Sequence, residues 1–321
     1  MLWALLFLVV GLLLLWRGAD FLVDGAVSLA GKMGVSQLVA GLTVVAMGTS
    51  APEVAAGIAA TISDKGDIAI GNVCGSNIAN LALIGGLVAL IRPLEIRTST
   101  LGREIPAMLG VALLLWPALR DLTVSRTDAI ALLLVFGVLA VYTVRTARAT
   151  CNGKSSDEHP PSDAPPQTVG NDVFLILLGL AALAIGARAA LSGAVFIGGR
   201  IGLSDAAIGS TIIAVGTSLP ELVTCVVAAV KGHHDISVGN LVGSNIFNTV
   251  FVTGVAALVR PFAVTARFAG GTDYRIMLGV GLAFTAAAIV GGCTIRRGSG
   301  VALLAIYAAY LIYLLQSAQP A

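Results

Sequence analysis

The sequence predicts an all-α polytopic membrane protein of ten transmembrane helices, arranged as two inverted five-helix repeats with broken helices at the midplane. Three observations predict it. The chain is 57% hydrophobic and 11% charged, against about 25% charged in a soluble domain. Apolar stretches follow one another along it, each near the length of about 20 residues that spans a bilayer. The words Gly48-Thr49-Ser50-Ala51-Pro52-Glu53 lie inside one such stretch and return as Gly216-Thr217-Ser218-Leu219-Pro220-Glu221.

The first stretch, 2–30, lacks a cationic start and runs past Gly11 to Trp16 without a small-residue cleavage site. It therefore reads as a membrane helix, not a signal peptide. Spans over 36–62, 68–91, 104–119 and 124–146 complete a first half, residues 1–149. Residues 150–170 are polar and rich in Ser and Pro. Such a segment cannot bury a core and is expected to be a solvated, cytoplasmic linker. The second half, 171–321, holds spans over 171–199, 204–230, 236–259, 273–291 and 300–317.

The halves are copies. Glu53 and Glu221 stand 168 positions apart, and the same offset maps Gly71-Asn72 onto Gly239-Asn240. It also maps Gly75-Ser76-Asn77-Ile78 onto Gly243-Ser244-Asn245-Ile246, Asn80 onto Asn248, and Arg92-Pro93 onto Arg260-Pro261. A constant offset without gaps marks an internal repeat. Five spans per half, an odd number, would invert the second half relative to the first. Transporters of that architecture place their site at the repeat interface on discontinuous helices. The Lys/Arg bias of the short loops favours an N-terminus outside.

The repeated words carry the chemistry. A carboxylate at membrane depth is costly and marks function by default. Pro52 and Pro220 lack the N–H that would pair the carbonyls of Gly48 and Gly216, so backbone around Ala46 to Thr49 and Ala214 to Thr217 is expected to be free for ligation. Ser50 and Glu53, like Ser218 and Glu221, also fit a helix capping box. Ser76 and Asn80 are four apart and share a helix face, as do Ser244 and Asn248. Asn72, Asn77, Asn240 and Asn245 read as packing residues. Two carboxylates with amides, hydroxyls and carbonyls form an all-oxygen set that suits Ca²⁺, with Na⁺ as competitor. Zinc or copper would want imidazole or thiolate.

Other charged residues read as structural. Arg17 and Asp20, three apart, are expected to pair on one helix face. Asp67 and Asp235 open helices and suit their N-termini. His233-His234 reads as a solvated loop pair. Cys74, Cys151, Cys225 and Cys293 form no C-x-x-C motif and read mainly as small buried hydrophobes.

The paired G-T-S-x-P-E and G-S-N-I-x-N strips resemble the α-repeats of the sodium/calcium exchanger family, within the cation/calcium exchanger superfamily. The resemblance covers about residues 36–93 and 204–261 and is greatest to bacterial inner-membrane calcium/sodium antiporters. It implies an antiporter exchanging Na⁺ for Ca²⁺ by alternating access, with the first and sixth helices sliding past the rest. It implies Glu53 and Glu221 as central Ca²⁺ ligands, carbonyls of Thr49 and Thr217 beside them, and Asn80 and Asn248 lining the centre. Ser50, Ser218, Ser76 and Ser244, with the carbonyls of Ala46 and Ala214, would build flanking Na⁺ sites. Asn248 replaces the Asp of potassium-dependent members, which argues against K⁺ dependence. The G-N-x-x-E signature of proton/calcium exchangers is absent, which argues against the alternative of proton coupling.

The expected protein is thus a transporter in the plasma (bacterial inner) membrane, with Ca²⁺ and Na⁺ as transported ions and no resident cofactor. Its partner is the lipid bilayer, and a monomer is expected. The net charge of +2 gives no polybasic surface for nucleic acid. An enzyme would need a nucleophile–base or zinc constellation, which the sequence lacks. A channel is the remaining alternative, disfavoured by the inverted pair within one chain.

Overall fold

A computed structural model describes residues 1–151, 168–202 and 214–317. Residues 152–167 of the expected linker and 204–213 of the seventh expected span lie outside the described residues. Among those described, the chain is helical apart from four two-residue strands and connecting turns. Helix α1 spans Leu2–Met33. Helices α2 (Gln37–Thr49) and α3 (Ala51–Ile62) form one bent pair with 43° between them. Then come α4 (Gly66–Ile91), α5 (Thr98–Leu119), α6 (Arg126–Cys151) and α7 (Val169–Arg200). The second broken element is α8 (Ala214–Thr217) followed by α9 (Leu219–Val230). Helices α10 (His234–Val259), α11 (Thr272–Val290) and α12 (Arg297–Ser317) complete the chain. Eight of these helices, and the bent pair as a ninth, are long and apolar enough to cross a membrane.

Burial sorts the helices into centre and rim. The apolar windows of α4 and α10 are each 72% buried, whereas that of α6 is 11% buried. The strips Ser76–Asn80 and Ser244–Asn248 therefore sit on the two most enclosed helices. Both helices carry a π-helical stretch, Ala79–Ile84 in α4 and Phe247–Val252 in α10. A third interrupts α2 at Gly41–Val45. Such wide turns tend to mark functional sites in helices.

The long helices α1 and α7 lie antiparallel along one side. A Cβ added at Gly18 would meet the Gly179 carbonyl oxygen at 2.8 Å, and one at Gly11 would meet that of Gly186 at 2.7 Å. Only glycine permits so close a backbone approach. This pair packs on α2, α9 and the start of α10 through its own apolar cluster of Leu15, Leu22, Val45, Leu183, Val227 and Ile236. A separate and larger cluster holds α4, α5, α10, α11 and α12 together.

Contacts between the halves are reciprocal. Arg92 donates to the carbonyls of Ala229 and Val230 at the end of α9, and Arg260 donates to that of Ile62 at the end of α3. Strand β1 (Leu94–Glu95) pairs with β4 (Thr294–Ile295), and β2 (Thr123–Val124) with β3 (Phe262–Ala263). Asp235 binds Arg97, and Asp67 accepts the Thr265 N–H at 2.8 Å. Both aspartates do open their helices, and each is also held by the other half.

Two local expectations fail. Asp20 pairs not with Arg17 but with Lys231, which also binds Asp24 at 2.7 Å. Sequence spacing finds neighbours on one helix, whereas here a helix end from the other half lies closer. His233 is half-buried with Nδ1 3.1 Å from Gln37 Oε1, so it is not merely solvated. Cys74 and Cys225 are buried as expected, and Cys293 is partly exposed with φ 64°.

Candidate ion site at the two helix breaks

Both breaks fall at serine. Ser50 has φ −85° and ψ 10°, and Ser218 has −90° and 10°, so the chain leaves helical geometry for one residue in each. Pro52 and Pro220 then sit in the first turn of the restarted helices, where the missing N–H does no harm. The restarted helices follow buried serines, so their positive dipole ends lie inside the protein. Glu53 and Glu221 stand in those first turns, where a carboxylate is favoured.

The capping box does not form. Neither serine side chain caps its own helix. The Ser50 hydroxyl instead donates to Oε1 of Glu221, 2.9 Å away in the other half. The Gly48 carbonyl is also not orphaned, because the turn at Ser50 brings backbone N–H groups back onto the carbonyls of Ala46 and Gly48. Ser50 N lies 3.1 Å from the Ala46 oxygen. A carbonyl has two lone pairs, so these oxygens keep acceptor capacity for a cation.

Around the breaks, polar side chains are enclosed. Glu53 is 0% exposed and Glu221 1% exposed. Ser76 donates to Glu53 Oε1 at 3.4 Å. Its twin Ser244 turns instead to Asn240 Oδ1, also at 3.4 Å. Thr49 donates to that same Asn240 oxygen at 3.1 Å. Thr217 is partly exposed, and Ala214 contributes backbone at the start of α8.

Seven of the fourteen buried side-chain atoms without a hydrogen-bond partner among the described residues belong to this set. Oε2 of Glu53, Oε2 of Glu221, the hydroxyl of Ser218 and both amide atoms of Asn80 and Asn248 are buried without a hydrogen-bond partner. Buried polar groups are normally paired, and each exception calls for an explanation. A dehydrated cation among these oxygens supplies one. Among the described residues no three His, Cys, Asp or Glu side chains cluster for metal binding. The set of two carboxylates and neutral oxygens fits a hard cation.

The four asparagines read as packing residues each bond a neighbour. Asn77 donates to Thr249 at 2.8 Å and Asn245 to the Leu241 carbonyl at 2.7 Å. Asn72 donates to the backbone oxygen of Glu53 at 3.3 Å. Asn240 is more than packing, since it orients Thr49 and Ser244 together. Thr224, one turn beyond Glu221, is fully buried with an unpartnered hydroxyl. The spacing of three from Glu221 was the available signal for it.

A family model for the sodium/calcium exchanger protein matches residues 3–145 and 172–316. The chain is 39% identical to inner membrane protein YrbG of Escherichia coli K12, covering 88% of each chain. It is 35% identical to sodium/calcium exchanger MaX1 of Methanosarcina acetivorans, covering 96% of this chain and 97% of the relative. Among solved structures, one of the sodium-calcium exchanger NCX_Mj superposes with a TM-score of 0.82 at 29% identity, covering 98% of this chain and 99% of that one.

Proposed function

The chain belongs to the sodium/calcium exchanger family, and we propose that it exchanges Na⁺ for Ca²⁺ across a bacterial inner membrane by alternating access. The carrying observation is the Ser50–Glu221 hydrogen bond of 2.9 Å, which joins the two helix breaks into one site. Glu53 and Glu221 would hold Ca²⁺ with the carbonyls of Thr49 and Thr217, between Asn80 and Asn248. Ser50, Ser218, Ser76 and Ser244, with the carbonyls of Ala46 and Ala214, would take Na⁺. The unpartnered oxygens of Glu53, Glu221, Asn80, Asn248 and Ser218 support this set.

The reading includes ten spans in two inverted halves, 1–149 and 171–321, around a cytoplasmic linker, with the N-terminus outside. The reciprocal arginine caps and strand pairs support it. The protein would act as a monomer, because one chain supplies both carboxylates. Exchange follows if the carrier changes face only with an ion in the site, since −2 of buried carboxylate charge is poorly tolerated without a cation.

Purified protein in liposomes, with an outward Na⁺ gradient, tests this through ⁴⁵Ca²⁺ uptake. Uptake that follows the Na⁺ gradient supports exchange. Uptake that follows a proton gradient instead would favour proton coupling, and uptake down its own gradient with unitary currents would favour a channel.

A further inference from the structure

The two ends of the α1/α7 pair are built differently. At one end Lys231, the residue after α9, reaches across to α1. It forms ion pairs with Asp20 and with Asp24, the latter at 2.7 Å. These aspartates are four apart and so share a helix face. Lys231 and Asp20 are partly enclosed, 28% and 26% exposed, while Asp24 is exposed. At the same end Lys32 binds the fully buried Asp172 at 2.5 Å and ties α1 to α7. His233 meets Gln37 beside them.

The repeat allows a comparison within the same chain. At the offset of 168, Lys231 corresponds to Ser63, Asp20 to Arg188 and Asp24 to Ser192. A cation and two hydroxyls cannot form such a bridge. The Ser192 hydroxyl instead donates to the carbonyl of Arg188 on its own helix at 2.8 Å. The arginine caps do not differ in this way, since Arg92 and Arg260 serve both ends. The lysine bridge, like the Lys32–Asp172 pair, is therefore present at one end of the pair and absent from the equivalent place at the other.

The α1/α7 pair also packs as a unit distinct from the body. Its internal contacts are backbone on backbone at glycine, while it meets α2, α9 and α10 through a separate apolar cluster. Apolar surfaces slide with little directional preference, whereas an ion pair has one geometry. Lys231 thus fixes the position of α1 on α9, the helix that carries Glu221.

We propose that Lys231 is a positioning residue that latches α1 to α9 at one membrane face alone, and so makes the two access states of the carrier unequal in energy. The inference rests on the alternating-access reading above. By mass action, the face to which the latched state opens sees the tighter apparent binding. Two partly exposed ion pairs shift such an equilibrium by about threefold to tenfold.

The test is the apparent Ca²⁺ affinity at each face, measured as Na⁺-driven ⁴⁵Ca²⁺ flux in right-side-out and everted vesicles. In Lys231→Gln the affinity is expected to weaken at one face and tighten at the other, with the tightening about threefold to tenfold. Lys231→Arg should restore the wild-type asymmetry. If Lys231→Gln fails to fold, Asp20→Asn and Asp24→Asn each remove one partner and should give smaller shifts of the same pattern. Changes in the same direction at both faces, or none at either, would overturn the latch. Wild-type vesicles without Na⁺-driven flux would overturn the exchange reading instead, so the two failures are distinct.

Discussion

Ser50 in the first half donates its hydroxyl to the carboxylate of Glu221 in the second, at 2.9 Å. This places the serine of one helix break against the acid of the other. A hydrogen bond to a charged group is worth about 1.5–3 kcal/mol, and here it lies inside the proposed ion site. Ser50→Ala should fold and still bind Ca²⁺, because both carboxylates remain. Its half-saturating Na⁺ concentration should rise by about tenfold, the equivalent of about 1.4 kcal/mol. Na⁺-dependence curves of ⁴⁵Ca²⁺ flux would check this, and an unchanged curve would remove Ser50 from the Na⁺ set.

Glu53→Gln and Glu221→Gln keep the shape of each side chain and remove one of two buried charges. Each should lower Ca²⁺ exchange by about 100-fold, a loss of ~2.7 kcal/mol in ion stabilisation. Neither should unfold the protein, because a neutral amide is easier to bury than a carboxylate. Flux and melting temperature measured on the same preparations separate the two effects.

These two positions also mark what the sequence made legible. The constant repeat offset exposed both carboxylates, both prolines and the Asn80/Asn248 pair, because a polar word repeated inside apolar segments is a strong signal. The expected spans over 2–30, 68–91 and 236–259 lie within or close to α1, α4 and α10. What stayed hidden depends on packing between halves. The S-x-x-E spacing suggested that Ser50 caps its own helix, but its hydroxyl is turned to Glu221 of the other half. The i,i+3 spacing suggested Arg17 for Asp20, yet Lys231 arrives from another helix. The π-helical turns at Asn80 and Asn248 have no signature in hydrophobic periodicity, because one added residue per turn shifts a pattern that is apolar all round.

Gly239 and Gly243 set how closely α10 approaches α2. A Cβ at Gly239 would meet the Leu38 carbonyl oxygen at 2.7 Å, and one at Gly243 would meet the Leu42 Cα at 2.8 Å. By contrast, among the described residues nothing lies within 4 Å of a Cβ added at Gly75. Gly243→Val should therefore destabilise by about 1–3 kcal/mol through overpacking against backbone. Gly75→Ala should be much milder. Thermal unfolding in one detergent, followed for both variants, tests the contrast, and equal losses would contradict it.

Asn248 is buried with both amide atoms unpartnered, so as a proposed ligand it would be neutral where a third carboxylate would strengthen cation binding. Wild-type exchange should not change when K⁺ is replaced by choline on both sides of the membrane. A loss of flux on K⁺ removal would mean that a neutral amide suffices for K⁺ coupling. Asn248→Asp should tighten divalent binding and slow release, since an added buried negative charge favours the occupied state.

The central claim is that the two halves build one site that couples Na⁺ to Ca²⁺. It is tested most directly by ⁴⁵Ca²⁺ uptake into proteoliposomes of the purified chain under imposed Na⁺, K⁺ and H⁺ gradients, each alone. Uptake driven by the Na⁺ gradient and lost in both Glu53→Gln and Glu221→Gln is the predicted result. Uptake that ignores the Na⁺ gradient, or that survives undiminished in either variant, would contradict it.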